Sequence, residues 1–191
     1  MKKVSPEEIL DLVAYEKVRP EYLERIIALK VPRRVFLGDR LTFVFENRDT
    51  VMFQVQEMTR AERTVDEAAI AHEVSVYNEL IPETHGLSAT LMIEITDGAE
   101  IRGELDRLIG IDEHVSLKIG DEVVRASFDE KQFEEDRISA VQFVRFSLGP
   151  ELAKRFADPH VEVRLIVDHP NYRHEQALEG ATRTSLAADL A

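Results

Sequence analysis

The residues best suited to chemistry crowd into one stretch of the chain. Between Lys30 and Arg63 there are seven basic residues, six of them arginine, against five acids. The local balance is +2 in a chain of formal net charge −13. Within it lie Arg33 and Arg34, then Glu46-Asn47-Arg48-Asp49-Thr50, then Gln54, Gln56, Glu57, Arg60 and Glu62. A guanidinium presents a planar fork of N–H donors that matches a carboxylate or phosphate. Glu46 or Glu57 beside such an anion would serve as a base or as an orienting partner. If a strand ends near Arg48 and a helix begins there, the free N–H groups and positive dipole end of that helix complete an anion site. Two other readings use the same residues. The charges can pair with one another, as the three-residue spacing of Glu57 and Arg60 on a helix would favour. Or the patch can face a protein partner.

Two further constellations are weaker. Glu73 and Tyr77 stand four apart and share a helix face, either as a satisfied polar pair or as an acid–base pair. His160 and Glu162 share one side if they lie on a strand. With Asp168, His169 or His174 brought in by the fold, they would suit a divalent metal. His-x-Glu is a common chance pattern, so an exposed polar strand face is the simpler expectation. The acidic run Asp129, Glu130, Glu134, Glu135 and Asp136 reads as a solvated loop.

Several chemistries have no residues to carry them. The phosphate-loop, dinucleotide, G-x-S-x-G and H-E-x-x-H patterns are all missing. A di-iron carboxylate bundle wants glutamate three residues before a histidine. Those positions hold Ala69, Pro82, Ile111, Ala157, Ile166 and Asn171. The chain has no cysteine. This excludes disulfides, thiol nucleophiles and Cys-ligated zinc or iron–sulfur clusters in the chain itself. No cofactor is expected. The acidic balance disfavours nucleic acid and anionic membranes as partners. No apolar run is long enough for a membrane helix, and no apolar stretch follows Lys2-Lys3 as a signal peptide would require. A cytoplasmic location is expected.

These residues need elements to position them. A length of 191 residues implies one domain. Ser5-Pro6-Glu7-Glu8 reads as a capped helix start, and Pro20 as the start of a second helix, giving an N-terminal hairpin. Val31 to Gly38 is a connection or short strand. Leu41, Phe43 and Phe45 alternate with Thr42, Val44 and Glu46 along a strand over Arg40–Arg48. A helix capped at Thr50 should follow, carrying Val51, Val55 and Met58. A second, capped at Thr64, carries Ile70, Val74, Tyr77 and Ile81 up to Pro82. Beyond Leu87 the pattern is mainly strand. It includes a hairpin about Gly120-Asp121, a strand over Ile138–Leu148, a helix over Pro150–Phe156 and a strand over His160–Val167. Helices first and hairpins later argue for an α+β fold, with N-terminal helices packed on a mostly antiparallel sheet. Residues 1–178 are read as this single domain, and 179–191 as a tail, either a loosely held helix or flexible. An uncovered edge strand or helix face would leave room for a homodimer.

Five words together carry a resemblance. They are Arg33-Arg34-Val35-x-Leu37-Gly38, Phe45-Glu46-Asn47-Arg48-x-Thr50, Gln56-Glu57-Met58-x-Arg60-x-Glu62, Glu73-x3-Tyr77-Asn78-x-Leu80-Ile81-Pro82 and Leu87-Ser88-Ala89-Thr90-x2-Ile93-Glu94-Ile95. The chain resembles the bacterial family catalogued as domain of unknown function 3501. The likeness runs over nearly the whole chain and weakens after Pro170. It implies no particular reaction. Members are often encoded beside rubrerythrin-like proteins and an iron–sulfur oxidoreductase. The resemblance therefore implies a non-catalytic accessory or regulatory role in a redox or oxidative-stress system, with one of those proteins as partner. The binding surface would be centred on the arginine segment. The alternative is a small-molecule enzyme or sensor that uses the same segment as an anion pocket.

Overall fold

The computed structural model describes residues 1–95, 101–129, 133–134 and 137–190. Strands β1 (Arg34–Leu37), β2 (Leu41–Glu46) and β3 (Gly86–Ile93) lie in chain order. Two helices interrupt them after β2, α2 (Arg48–Glu62) and α3 (Glu67–Asn78), while α1 (Leu12–Lys30) precedes β1. Then come α4 (Ile101–Asp106), β4 (Val115–Ile119), β5 (Glu122–Arg125), β6 (Ser127–Phe128), β7 (Phe133–Glu134), β8 (Arg137–Ile138) and β9 (Val141–Ser147). The chain continues through α5 (Gly149–Ala157), β10 (Val163–His169), β11 (Tyr172–Ala177) and α6 (Gly180–Asp189). One sheet has the order β1-β2-β3-β9-β6 and a second β11-β10-β4-β5, with β7 and β8 as a small ribbon. Every pairing among the described residues is antiparallel. The fold is α+β, with two main sheets where one was expected.

The sheets join at both sides. Ala126 donates its N–H to the Val115 carbonyl at 2.9 Å. There one extended stretch leaves the second sheet as β5 and enters the first as β6. On the other side the Tyr172 hydroxyl donates to the Leu37 carbonyl at 2.6 Å and accepts from the Arg40 N–H at 3.1 Å. Gly38, at φ +62°, makes that junction possible, because a Cβ there would stand 2.3 Å from the Tyr172 hydroxyl. Between the sheets lies one apolar core that includes Phe43, Phe45, Leu91, Leu117, Phe146 and Leu165. Each such side chain contributes about 1.5–3 kcal/mol by leaving water.

The opposite face of the five-stranded sheet is covered by helices. All six residues of β2 are buried, so both of its faces are used. A smaller core of Val4, Val51, Val55, Val74, Leu80 and Ile81 fills this second layer, with Phe143 packed against it from the sheet.

Several expected boundaries move. The Ser5–Glu8 capping box is present, but it closes only a short 3-10 turn. The helix starts at Leu12, capped by Asp11, and runs unbroken to Lys30 through Pro20. One helix thus replaces the expected hairpin. Pro20 and Glu16 are both exposed, so water can satisfy the Glu16 carbonyl that the proline cannot reach. Asn47, three residues before Thr50, caps α2, and Asp66, rather than Thr64, caps α3. Strand β10 begins at Val163, leaving His160 outside it. The hairpin partner β11 is polar and exposed over Arg173–Gln176, which hid its strand period. The segment expected as a tail is helix α6, with Leu186 and Leu190 buried in the main core. Glu130, Glu135 and Asp136 of the expected acidic loop lie outside the described residues. No described helix is long and apolar enough to cross a membrane.

Candidate functional site

The arginine-rich segment is divided by the fold. Arg33 lies at the end of the turn that follows α1 and is 1% exposed. Its Nε donates to the Phe45 carbonyl at 2.8 Å and one terminal nitrogen to the Glu46 carbonyl at 3.0 Å. The other terminal nitrogen reaches the Ser185 hydroxyl at 3.1 Å, and the guanidinium also pairs with Asp189. Arg33 therefore fastens α6 to the end of β2. Burial holds the Asp189 carboxyl above the usual carboxylate range, although Arg33 pulls the other way. Arg34, the next residue, is exposed on β1.

Glu46 points to the helical face and is 2% exposed. Its oxygens accept from the Thr50 hydroxyl at 2.5 Å, the Thr90 hydroxyl at 2.7 Å and Gln54 Nε2 at 3.1 Å. The donors are neutral, and they enclose the carboxylate. Asn47 and Thr50 form the reciprocal cap of α2. Arg48 turns back to Glu8 at 2.5 Å.

On α2, Glu57 is taken up by α1. Arg19 binds both of its oxygens at 2.8 Å and the Tyr15 hydroxyl donates at 2.7 Å. The Arg19 contact holds the Glu57 carboxyl below the ordinary range. Burial, then the same carboxylate, pushes the Tyr15 phenol up. Arg60 pairs with Glu16 at 2.6 Å, and Glu62 is exposed. Gln56 is buried and uses its whole amide on one residue. It accepts the Leu10 N–H at 3.0 Å and donates to the Leu10 carbonyl at 2.9 Å. Asn78 does the same for Val4, at 2.9 and 2.8 Å. Two side-chain amides thus clip the N-terminal strap along the helices, standing in for strand partners. Ion pairs and hydrogen bonds within the chain take up these groups.

The two weaker constellations also resolve. On α3, Tyr77 is half-buried, and its phenol is raised first by burial and then by the charges of Glu73 and Glu62. His160 sits in the turn before β10, its N–H bound to Asp158 at 2.9 Å. Glu162 turns to Arg164 at 2.7 Å. His160 and Glu162 do not share a strand face. Among the described residues no group of three or more His, Asp or Glu side chains comes together as a metal site.

Two concavities flank the strap. One, of about 360 Å³, lies between the strap, α1 and α2 and is lined by Glu8, Leu10, Val18, Tyr22, Arg25 and Met52, with Gln56 at its base. The other, of about 560 Å³, lies where the C-terminal end of α3 meets β3 and β9. Lys3, Glu79, Glu83 and Arg145 line it. Sequence reading did not find this second groove. Its charges come from positions as distant as Lys3 and Arg145, and only the strap brings them together.

A family model described as "Protein of unknown function (DUF3501)" matches residues 3–190. Among solved structures, the chain is similar to a novel protein of unknown function from Burkholderia pseudomallei. The two share 34% identity over 100% of each chain, with a TM-score of 0.92. The curated proteins give no match.

Proposed function

The chain belongs to the family described as Protein of unknown function (DUF3501), and for this member we propose a non-catalytic accessory or regulatory role, exercised by docking on a redox protein. The partner would be a rubrerythrin-like protein or an iron–sulfur oxidoreductase, the kinds that the family resemblance associates with it. The docking face would be the α1–α2 side, around Arg48 and Arg60. One observation carries the non-catalytic reading: the two carboxylates suited to proton transfer are both engaged by partners within the chain. Glu46 is enclosed by Thr50, Thr90 and Gln54. Glu57 has both oxygens held by Arg19 and its pKa moved down, the wrong direction for a base working near neutral pH. The cations at the edge of this region pair with Glu8 and Glu16 and stay part-exposed. The Arg48 and Arg60 side chains are 26% and 34% exposed, beside a groove with exposed Leu10 and Val18. A rim of part-exposed ion pairs around apolar residues is the composition of a transient protein interface.

The test is titration calorimetry of the full chain against each purified candidate partner, with native mass spectrometry for stoichiometry. A complex is expected with one of them. The combined Arg48→Ala and Arg60→Ala substitution should weaken it by about tenfold or more. Absence of a complex with either partner, or affinity untouched by the double substitution, would sink this reading.

A further inference from the structure

The groove between the end of α3, β3 and β9 has the marks of a ligand site that the docking reading does not use. Lys3 reaches into it from the strap, its ammonium donating to the Asn78 carbonyl at 2.7 Å and the Ile81 carbonyl at 3.0 Å. These are carbonyls at the end of α3 and just after it, so the lysine cancels the negative end of the helix dipole. That duty uses two of its three N–H donors. Arg145 stands on β9, its Nη2 3.2 Å from the Glu79 carbonyl. Its carboxylate partner, Glu79, is only at the 4.0 Å limit of an ion pair. Lys3 makes no ion pair within that limit among the described residues.

Both cations are thus anchored by backbone carbonyls, with the carboxylates at longer range. Burial lowers the Lys3 pKa, Glu83 opposes it, and Arg145 is close enough to add a smaller lowering. Two like charges held side by side gain from a negative group placed between them. A simple C-capping lysine has no need of the arginine. The rim carries the opposite sign. Glu79 and Glu83 are exposed, and both act on Lys3. Ser75 and Ser147 add hydroxyls, and the floor is apolar through Ile81 and Phe146.

The charge count narrows the ligand. Two cations and two acids sum to zero, within a chain of net charge −13. A free anion gains from the anchored pair but meets the acidic rim, and a free cation gains from the rim but meets the anchored pair. A molecule bearing both charges gains from each half. The volume of about 560 Å³ falls in the range of small-molecule pockets, roughly 300–1,000 Å³.

We propose that this groove binds a free amino acid or similar small amino-carboxylate, with its carboxylate against Lys3 and Arg145 and its ammonium toward Glu79 and Glu83. The site would let the level of such a molecule act on the strap, because Lys3 is part of both.

The experiment is calorimetric titration of the full chain, at low salt, with a panel of free L-amino acids. Propionate and ethylamine serve as controls that carry one charge each. At least one amino acid should bind saturably, with propionate and ethylamine weaker by about tenfold or more. Arg145→Gln should weaken the amino acid by about tenfold. Glu83→Gln, at an exposed side chain whose change leaves the fold intact, should shrink the preference for the amino acid over propionate. A circular dichroism melt of each variant shows that it is folded. The proposal is overturned if no amino acid binds, if propionate binds as well as the best amino acid, or if folded Arg145→Gln binds undiminished. None of these outcomes touches the docking reading, which rests on a different face.

Discussion

The two faces of the five-stranded sheet are held in different ways. The inner face presents Leu41, Phe43, Phe45, Leu91 and Phe146 to one large apolar core. The outer face presents Thr42, Glu46, Ser88 and Thr90 to the helices beside apolar Val44 and Phe143, and Thr42, Glu46 and Ser88 are buried there. Apolar contacts are non-directional, so the inner face tolerates any side chains of fitting volume. Buried polar groups each need a matched partner, so the outer face depends on residue identity. Ser88 illustrates this, its hydroxyl donating to the Leu80 carbonyl at 2.5 Å. The words that carry the family resemblance fall largely on this polar layer and its clips. Glu46, Asn47, Thr50, Gln56, Asn78 and Ser88 of those words all make side-chain hydrogen bonds within the chain.

Substitutions on each face can break this contrast. Phe43→Ala on the inner face should cost about 4 kcal/mol of unfolding free energy, measured by urea denaturation, because a fully buried ring leaves a cavity. Arg33→Ala should cost about 3 kcal/mol, since it strands Asp189 and two carbonyls in the interior. If Arg33→Ala proved neutral, the pinning of α6 would be wrong. Asn78→Leu keeps volume but removes both bonds to Val4, and about 2 kcal/mol should be lost. Amide exchange at Val4 should accelerate in that variant while exchange in β10 stays slow.

Acid sensitivity sharpens the contrast further, because two carboxyls should act with opposite sign. Glu57 titrates below its ordinary value in the folded chain. Its contribution is present above the unfolded pKa and fades as pH falls through the folded one. Asp189 titrates above its ordinary value. The folded chain therefore binds the extra proton, and stability falls as pH rises from the ordinary aspartate pKa through the raised one. Glu57→Gln should flatten the loss on the acid side, and Asp189→Asn should remove the decline on the other. Denaturation midpoints measured across pH 3–7 would separate the two slopes; parallel curves would count against both assignments. The smallest effect is expected at the surface, where Arg60→Ala should change stability by no more than about 0.5 kcal/mol.

The sequence made some elements legible and concealed others for identifiable reasons. Leu41, Phe43 and Phe45 alternate with Thr42, Val44 and Glu46, and β2 was readable from that period. The β4–β5 hairpin was announced by Gly120-Asp121. Strand β11 has one buried residue at its start and then four exposed ones, so no period marked it. Pro20 suggested a helix start and lies inside α1, because an exposed carbonyl can be left to water. At the candidate site, the pairing tendency of Glu57 and Arg60 was visible, but not with whom. Both take partners on α1, Arg19 and Glu16, rather than each other. Arg33 and Arg34 are adjacent and read alike, yet one is sealed inside and one faces solvent. Tertiary contacts with residues 45, 46, 185 and 189 separate them. The amino-carboxylate groove was invisible because Lys3 and Arg145 belong to no shared motif.

The bond between Arg33 and Asp189 spans 156 residues. During synthesis the arginine leaves the ribosome long before the aspartate exists. Until then its guanidinium has only water and the carbonyls of Phe45 and Glu46 to bind. The first hairpin would therefore remain provisional while the nascent chain grows, a buried cation waiting for its counter-ion. Folding of the five-stranded sheet should then be a late, concerted event rather than a stepwise one.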